Sequence, residues 1–230
     1  IKEEYVSKIF FQTTENRNQS FMDQLYNEIE KNLKDVAILF DLKINKLDLF
    51  NFDYFIPNRL GHHLSGHGNK TWVDKGAFNK LLEIIEVRTM IDVGCGTGGM
   101  IKYSQSFGIK SIGVDGDNSI IRDIGNNFFL HDYTKGCFQT ELNFDLCWCV
   151  EFLEHVNEKY LSNYFDTFKK CRYVFCTFAP KGKGGYHHVN LQTEEYWIRK
   201  FKDSNFEHDK KNTEKIRLSS SIHRNFVSSY

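Results

Sequence analysis

Glu151, Glu154 and His155 stand at i, i+3 and i+4 in the run Glu151-Phe152-Leu153-Glu154-His155. On a helical turn that spacing puts two carboxylates and an imidazole on one face. Such a set can hold a divalent ion, Mg²⁺ or Mn²⁺, with water in the other positions. It can also offer His155 as a proton acceptor or as a group that orients a substrate. His187 or His188 could complete the site. The competing reading is structural: Glu154 and His155 fix a loop, and for Glu154 this is the simplest account. A second group of acids, Asp92, Asp115 and Asp132, is spread around the glycine cluster Gly94, Gly96, Gly98 and Gly99. Its chemistry would be ligand recognition.

These residues need elements to position them. An apolar run (Val87, Met90, Ile91, Val93) enters the glycine cluster, and a helix can begin at Met100-Ile101-Lys102-Tyr103. Strand, glycine turn, helix is the opening of a doubly wound nucleotide-binding sheet. Gly94, Gly96 and Gly99 also satisfy GxGxxG, so a nicotinamide or flavin dinucleotide has to be weighed. A dinucleotide turn leaves the helix N-terminus clear for pyrophosphate. Here Asp92 stands two residues before the first glycine, where it would repel pyrophosphate and attract an ammonium. S-adenosylmethionine carries an ammonium and a sulfonium and no phosphate, and an acid at this point suits it. Ser111 to Asp115 reads as the next strand, ending in an acid able to accept hydrogen bonds from both ribose hydroxyls. A short helix over Asn118 to Gly125, a strand at Phe128-Phe129-Leu130 and then Asp132 follow. Phe144 to Val150 is nearly all apolar, as a strand covered on both faces should be. A helix over Asn157 to Lys170, a strand over Tyr173 to Phe178 and a helix over Thr193 to Phe201 come next. Residues 206–230 should supply one or two final strands.

Residues 1–60 read as a separate extension, a cap or an oligomer contact. Phe21, Leu25, Ile29, Leu33 and Val36 fit an amphipathic helix. The aromatic run from Leu47 to Ile56 fits a strand pair or an irregular cover. The loop at 58–72 holds His62, His63 and His67 with three glycines and reads as a lid over the cofactor, with Trp72 a candidate contact. Residues 61–230 then form the cofactor-binding domain. The loop from Lys181 to Asn190, with Lys183, His187 and His188, could recognise an acidic or phosphorylated substrate or be a solvated loop. Tyr186 and Trp197 are substrate-side aromatics or core.

The 230 residues carry 30 basic and 30 acidic side chains, a net charge of zero. That balance gives no electrostatic footprint for nucleic acid or an anionic membrane. The hydrophobic content of 40% and charged content of 26% belong to an ordinary globular protein. The six cysteines form no CxxC pair, which favours reduced thiols in a cytoplasmic protein over disulfides or zinc. No apolar run approaches a membrane span, and no signal peptide is visible. A start at Ile1 and an abrupt stop at Tyr230 suggest a fragment of a slightly longer protein.

The segments IDVGCGTGG, GVD, HD and FDLCWCVEFLEHV, in this order and spacing, resemble the class I S-adenosylmethionine-dependent methyltransferases. The resemblance covers about residues 70–205 and implies a Rossmann-like, doubly wound α/β fold: a seven-stranded sheet with one antiparallel edge strand. It implies that the loop from Asp92 to Gly98, with Gly94, Cys95 and Gly96, wraps the methionine part of the cofactor. Asp115 and Gly116 would meet the ribose, Asp132 and Tyr133 the adenine. Cys149, Val150 and Glu151 would line the methyl-transfer side. The ExxEH element itself resembles that of metal-assisted O-methyltransferases, including those acting on quinone-precursor phenols and on the terminal ribose of small RNAs. The Asn/Asp-Pro-Pro-Tyr tetrapeptide of amide and adenine N-methyltransferases is absent. The expected reaction is methyl transfer to a hydroxyl oxygen of a small molecule or glycan, with His155, Glu151 and His188 as candidate catalytic residues. The alternatives are an RNA ribose acceptor, or a non-catalytic methyltransferase-fold subunit serving a partner.

Overall fold

The structure, a computed structural model, describes residues 7–13, 64, 71–181 and 187–222. The predicted elements in 14–63, most of the histidine loop, Lys183, Tyr186 and the end of the chain lie outside the described residues. Strands β1 (Ser7–Thr13), β2 (Thr89–Val93), β3 (Lys110–Asp115), β4 (Phe128–Leu130), β5 (Phe144–Cys149), β6 (Cys171–Phe178) and β7 (Phe206–His208) form one sheet in the order β4-β3-β2-β5-β6-β1-β7. Helices α1 (Lys75–Ile84), α2 (Gly99–Gln105), α3 (Leu161–Phe168), α4 (Glu194–Lys202) and α5 (Lys210–Ser219) accompany it. No helix among the described residues is long and apolar enough to cross a membrane.

Strand parity explains the two cores. Met90, Leu146, Trp148 and Phe175 point to one face and pack with Phe78 and Leu81 of α1, Met100 of α2 and Ile216 of α5. Their neighbours Ile91, Val93, Cys147, Cys149, Val174 and Cys176 point to the other face and meet Phe165 and Phe168 of α3 and Trp197 and Phe201 of α4. A sheet covered on both faces has little use for polar side chains, which is why β2 and β5 are nearly continuous apolar runs. Trp148 stacks on Phe175 with ring centroids 4.2 Å apart, and Phe168 on Phe201 at 5.6 Å. Trp197 is fully buried and belongs to this core.

Asp74 caps α1 by accepting from Ala77 N at 3.0 Å. The same carboxylate accepts from Ser220 and Ser221, which ties the end of α5 to the start of α1. A Cβ on Gly76 would lie 1.9 Å from the Ser219 carbonyl oxygen, so only glycine allows this approach.

The sheet corrects one expectation. Among the described residues no strand is antiparallel: every pairing, including β1 with β6 and β1 with β7, is parallel. The position beside β6 is taken by β1, so that Lys8 to Thr13 runs alongside Tyr173 to Phe178. Part of the segment read as an extension therefore contributes a strand to the sheet, with Ile9 fully buried. Two helical expectations also change. Residues 118–124 form no helix, because Arg122 takes the carbonyls of Asp117 and Ile120 that helical amides would need. The region after β5 begins as short 3₁₀ turns, Leu153–His155 and Glu158–Tyr160, before α3 starts. Beyond β7, the described part of the final segment is α5 and not a further strand.

Candidate active site

A cleft of about 240 Å³ opens at the carboxyl ends of β2, β3, β4 and β5, where ligands bind in open α/β sheets. Its floor is the turn after β2. Gly94 sits at φ 78°, its amide bonded to the Val114 carbonyl at 2.9 Å. Gly98 caps α2 in the left-handed region at φ 82°. Neither backbone suits a side chain.

Asp115 ends β3 at the rim of this turn. Its Oδ2 accepts from Gly96 N at 2.9 Å and its Oδ1 from Asp117 N at 2.8 Å. Arg122 Nη2 lies 3.1 Å from Oδ1. Asp92 is 3% exposed. Burial first, and then the charge of Asp115, push its carboxyl well above the usual carboxylate range. An ammonium delivered to the cleft would reverse that penalty. Asp132 Oδ1 accepts from Thr134 N at 2.8 Å, which fixes the turn after β4. Tyr133 lines the cleft, but its hydroxyl is bonded to Thr167 in the core at 3.0 Å, so it offers the cleft its ring and backbone.

Of the predicted cofactor residues, Asp92, Gly94, Cys95, Gly96, Asp115, Gly116, Asp132, Tyr133 and Val150 line the cleft. Gly98 and Cys149 do not. Gly98 is spent on the helix start, where a Cβ would meet Ile124 at 2.8 Å. Cys149 is fully buried inside β5. Burial raises the Cys95, Cys147, Cys149 and Cys176 thiols, which keeps them protonated and inert.

Several lining residues carry no signal in the sequence. Leu64 and Thr71 come from the chain before α1. Thr71 Oγ1 accepts from Thr97 N at 3.1 Å, and Leu64 stands over Gly116. His131 lines the cleft with Nε2 3.0 Å from the Gly136 carbonyl oxygen. Trp72, one of the predicted lid contacts, is at the mouth and 59% exposed.

The Glu151-to-His155 segment is not one helical turn. Glu151 has φ 55°, a left-handed conformation rare for a side chain with a Cβ. Its amide donates to Thr177 Oγ1 at 2.7 Å. The 3₁₀ turn begins only at Leu153, so Glu151 and Glu154 do not share a helical face. Among the described residues, the set whose ligand atoms converge, all within 4.8 Å, is Glu154, His155 and His188. Glu151 is outside that set but lines the cleft, as does His155. The His155 and His188 rings meet edge to face at 4.9 Å. The Glu154 carbonyl accepts from Val189 N at 2.9 Å and Asn190 N at 3.1 Å, which brings the loop after β6 onto this turn. Glu154 is fully buried, and neither carboxylate oxygen has a hydrogen-bond partner among the described residues. Burial, then the Glu151 charge, hold its carboxyl well above the usual range.

A doubly wound sheet, a glycine turn flanked by a buried acid, and a second acid at the end of the next strand make up a Rossmann-like α/β domain. A family model described as a methyltransferase domain matches residues 91–173. That match makes this part of the chain, from within β2 to the start of β6, similar to a methyltransferase domain. No curated protein sequence matches it. The similar solved structures include the methyltransferase domain of bacterial CtHen1-CN, 16% identical over 56% of this chain and 83% of that one, with a TM-score of 0.43. DhpI in its complex with SAH is 14% identical over 56% of this chain and 74% of that one, with a TM-score of 0.41. The N-methyltransferase NodS from Bradyrhizobium japonicum WM9, bound to S-adenosyl-L-homocysteine, is 18% identical over 41% and 52%, with a TM-score of 0.33.

Proposed function

We propose that the protein transfers the methyl group of S-adenosylmethionine to a hydroxyl oxygen of a small molecule or glycan. The observation that carries the reading is the meeting, at one cleft, of the glycine turn, buried Asp92 and rim Asp115 with the imidazole of His155. When bound, the cofactor supplies an electrophilic methyl carbon: the C–S bond breaks, the new C–O bond forms, and S-adenosylhomocysteine leaves. Asp92 would hold the ammonium, Asp115 would accept from the ribose hydroxyls, and Gly116, Asp132 and Tyr133 would shape the adenine end. Such positioning is worth effective molarities of about 10⁵–10⁸ M in well-oriented reactions.

A hydroxyl acceptor must also lose a proton, and the residues beside Val150 suit that need. The orphaned carboxylate of Glu154 with two imidazoles fits a divalent cation, Mn²⁺ better than Mg²⁺ because two of three donors are nitrogen. Held by Glu154, His155 and His188, such a cation would supply Lewis acidity that lowers the pKa of the acceptor hydroxyl. Glu151 at the cleft wall is placed to take the released proton. Without a cation, His155 is the proton acceptor, and burial favours the neutral form of Glu154. The six free thiols agree with a reducing, cytoplasmic setting.

A radiolabelled methyl-transfer screen over phenols, sugars, glycans and RNA tests the acceptor, run with and without a chelator. Label in a small-molecule or glycan hydroxyl is the expected result. Label in amines, or in RNA alone, would overturn the acceptor class. Rates indifferent to the chelator would assign proton removal to His155.

A further inference from the structure

The Arg122 side chain, 5% exposed, ties the turn after β2 to the end of β3 and the loop that follows it. Its Nε donates to the Gly96 carbonyl at 2.6 Å, and its Nη1 to the Asp117 carbonyl at 2.6 Å. Its Nη2 lies 3.1 Å from Asp115 Oδ1, close enough for an ion pair though without hydrogen-bond alignment. Its guanidinium sits 4.1 Å from the centre of the Phe128 ring at the start of β4.

These contacts close a ring. The Gly96 N–H donates to Asp115, the Gly96 carbonyl accepts from Arg122, and Arg122 faces Asp115. A planar fork with fixed donors can hold a peptide and a carboxylate at once, which a lysine ammonium does less well. The charge matters as much as the shape. Asp92 on β2, Asp115 on β3 and Asp117 in the following loop all crowd this end, with Asp132 across the cleft and Cys95 in the turn. Lys102 of α2 is paired outward with Asp123. Arg122 thus brings a positive charge against Asp115 at this acidic end of the cleft.

We propose that Arg122 is a positioning residue of the cofactor site, aiming the Asp115 carboxylate at the ribose while bracing the Gly96 turn. This rests on the reading of the cleft as a site for S-adenosylmethionine.

The test measures binding of S-adenosylhomocysteine and of its 2′-deoxyribose analogue by calorimetry, from pH 5.5 to 8.5, for wild type, Arg122→Lys, Arg122→Met and Asp115→Asn. Wild type binds the ribose form and prefers it over the deoxy analogue. Arg122→Met loses roughly 10–100-fold in affinity, loses most of that preference, and its residual binding falls away at a higher pH than in wild type. Its effect and that of Asp115→Asn are non-additive in the double variant. Arg122→Lys keeps the charge, so it restores the pH profile and part of the affinity, and it keeps the test decisive if Arg122→Met does not fold. A folded Arg122→Met that weakens both ligands equally, with preference and pH profile unmoved, reduces Arg122 to scaffold and overturns the proposal, as does an Arg122→Lys whose pH profile departs from that of wild type. Wild type that binds neither ligand overturns the cofactor reading itself, a different outcome.

Discussion

A Cβ placed on Gly94 would lie 2.8 Å from Cδ2 of Phe152, so the turn after β2 and the segment after β5 touch without room for a methyl group. Phe152 is held in turn by edge-to-face contacts with Tyr133 and Tyr164. The left-handed backbone adds about 1–2 kcal/mol for any residue with a Cβ. Gly94→Ala is expected to cost about 2–4 kcal/mol by the sum of strain and overpacking. Denaturant unfolding checks it, and a loss below about 0.5 kcal/mol, the range of neutral surface changes, would refute this packing.

Asp92 sets stability against function. Its folded pKa is raised by burial, then by Asp115. A raised carboxyl binds its proton more tightly in the folded state, so its penalty is small in acid and grows as pH rises through the folded pKa. Asp92→Asn removes the penalty. The ligand-free variant should melt higher than wild type at pH 8, by about 2–4 °C for each kcal/mol relieved, and the gain should shrink toward pH 5. Affinity for S-adenosylmethionine should fall. A melting gain independent of pH would contradict the assignment.

Gly116 lies beneath Leu64, where a new Cβ would be 2.3 Å from Cδ2. That atom ends a flexible side chain, so Gly116→Ala should displace Leu64 while changing stability by less than about 0.5 kcal/mol. Cofactor affinity should drop several-fold, and the fluorescence of exposed Trp72 should respond to ligand less than in wild type. Unaltered affinity would show that Leu64 is not part of the cofactor's cover.

The Glu154, His155 and His188 set makes its own prediction. Mn²⁺ should raise the melting temperature of wild type and not of Glu154→Gln or His188→Ala. Equal shifts in all three proteins would remove the cation from the account.

Local features were legible in the sequence, and long-range partners were not. Gly94, Asp92 and Asp115 could be read because backbone strain and charge confine those residue types to a few turn positions. The three acids do gather at one cleft. The i, i+3, i+4 spacing of Glu151, Glu154 and His155 misled because Glu151 takes a left-handed conformation before the 3₁₀ turn starts. His188 joins them through Val189 and Asn190 amides, a contact that no periodicity carries. Arg122 sat in a stretch resembling a short helix, and its role appears only once its guanidinium is seen to replace helical amides. The parallel β1 depends on pairing across more than 150 residues, with Ile9 opposite Val174. A seven-residue strand offers no local sign of such a partner.

In the proposed function, this cleft binds S-adenosylmethionine through Asp115. Calorimetry with S-adenosylmethionine and S-adenosylhomocysteine on wild type and Asp115→Ala tests it most directly, with NAD as the control. The expected result is binding of both adenosyl ligands, none of NAD, and a loss of roughly 10–100-fold in Asp115→Ala, as for charge-assisted hydrogen bonds. Absence of adenosyl binding in wild type, or equal affinity in the variant, would contradict it.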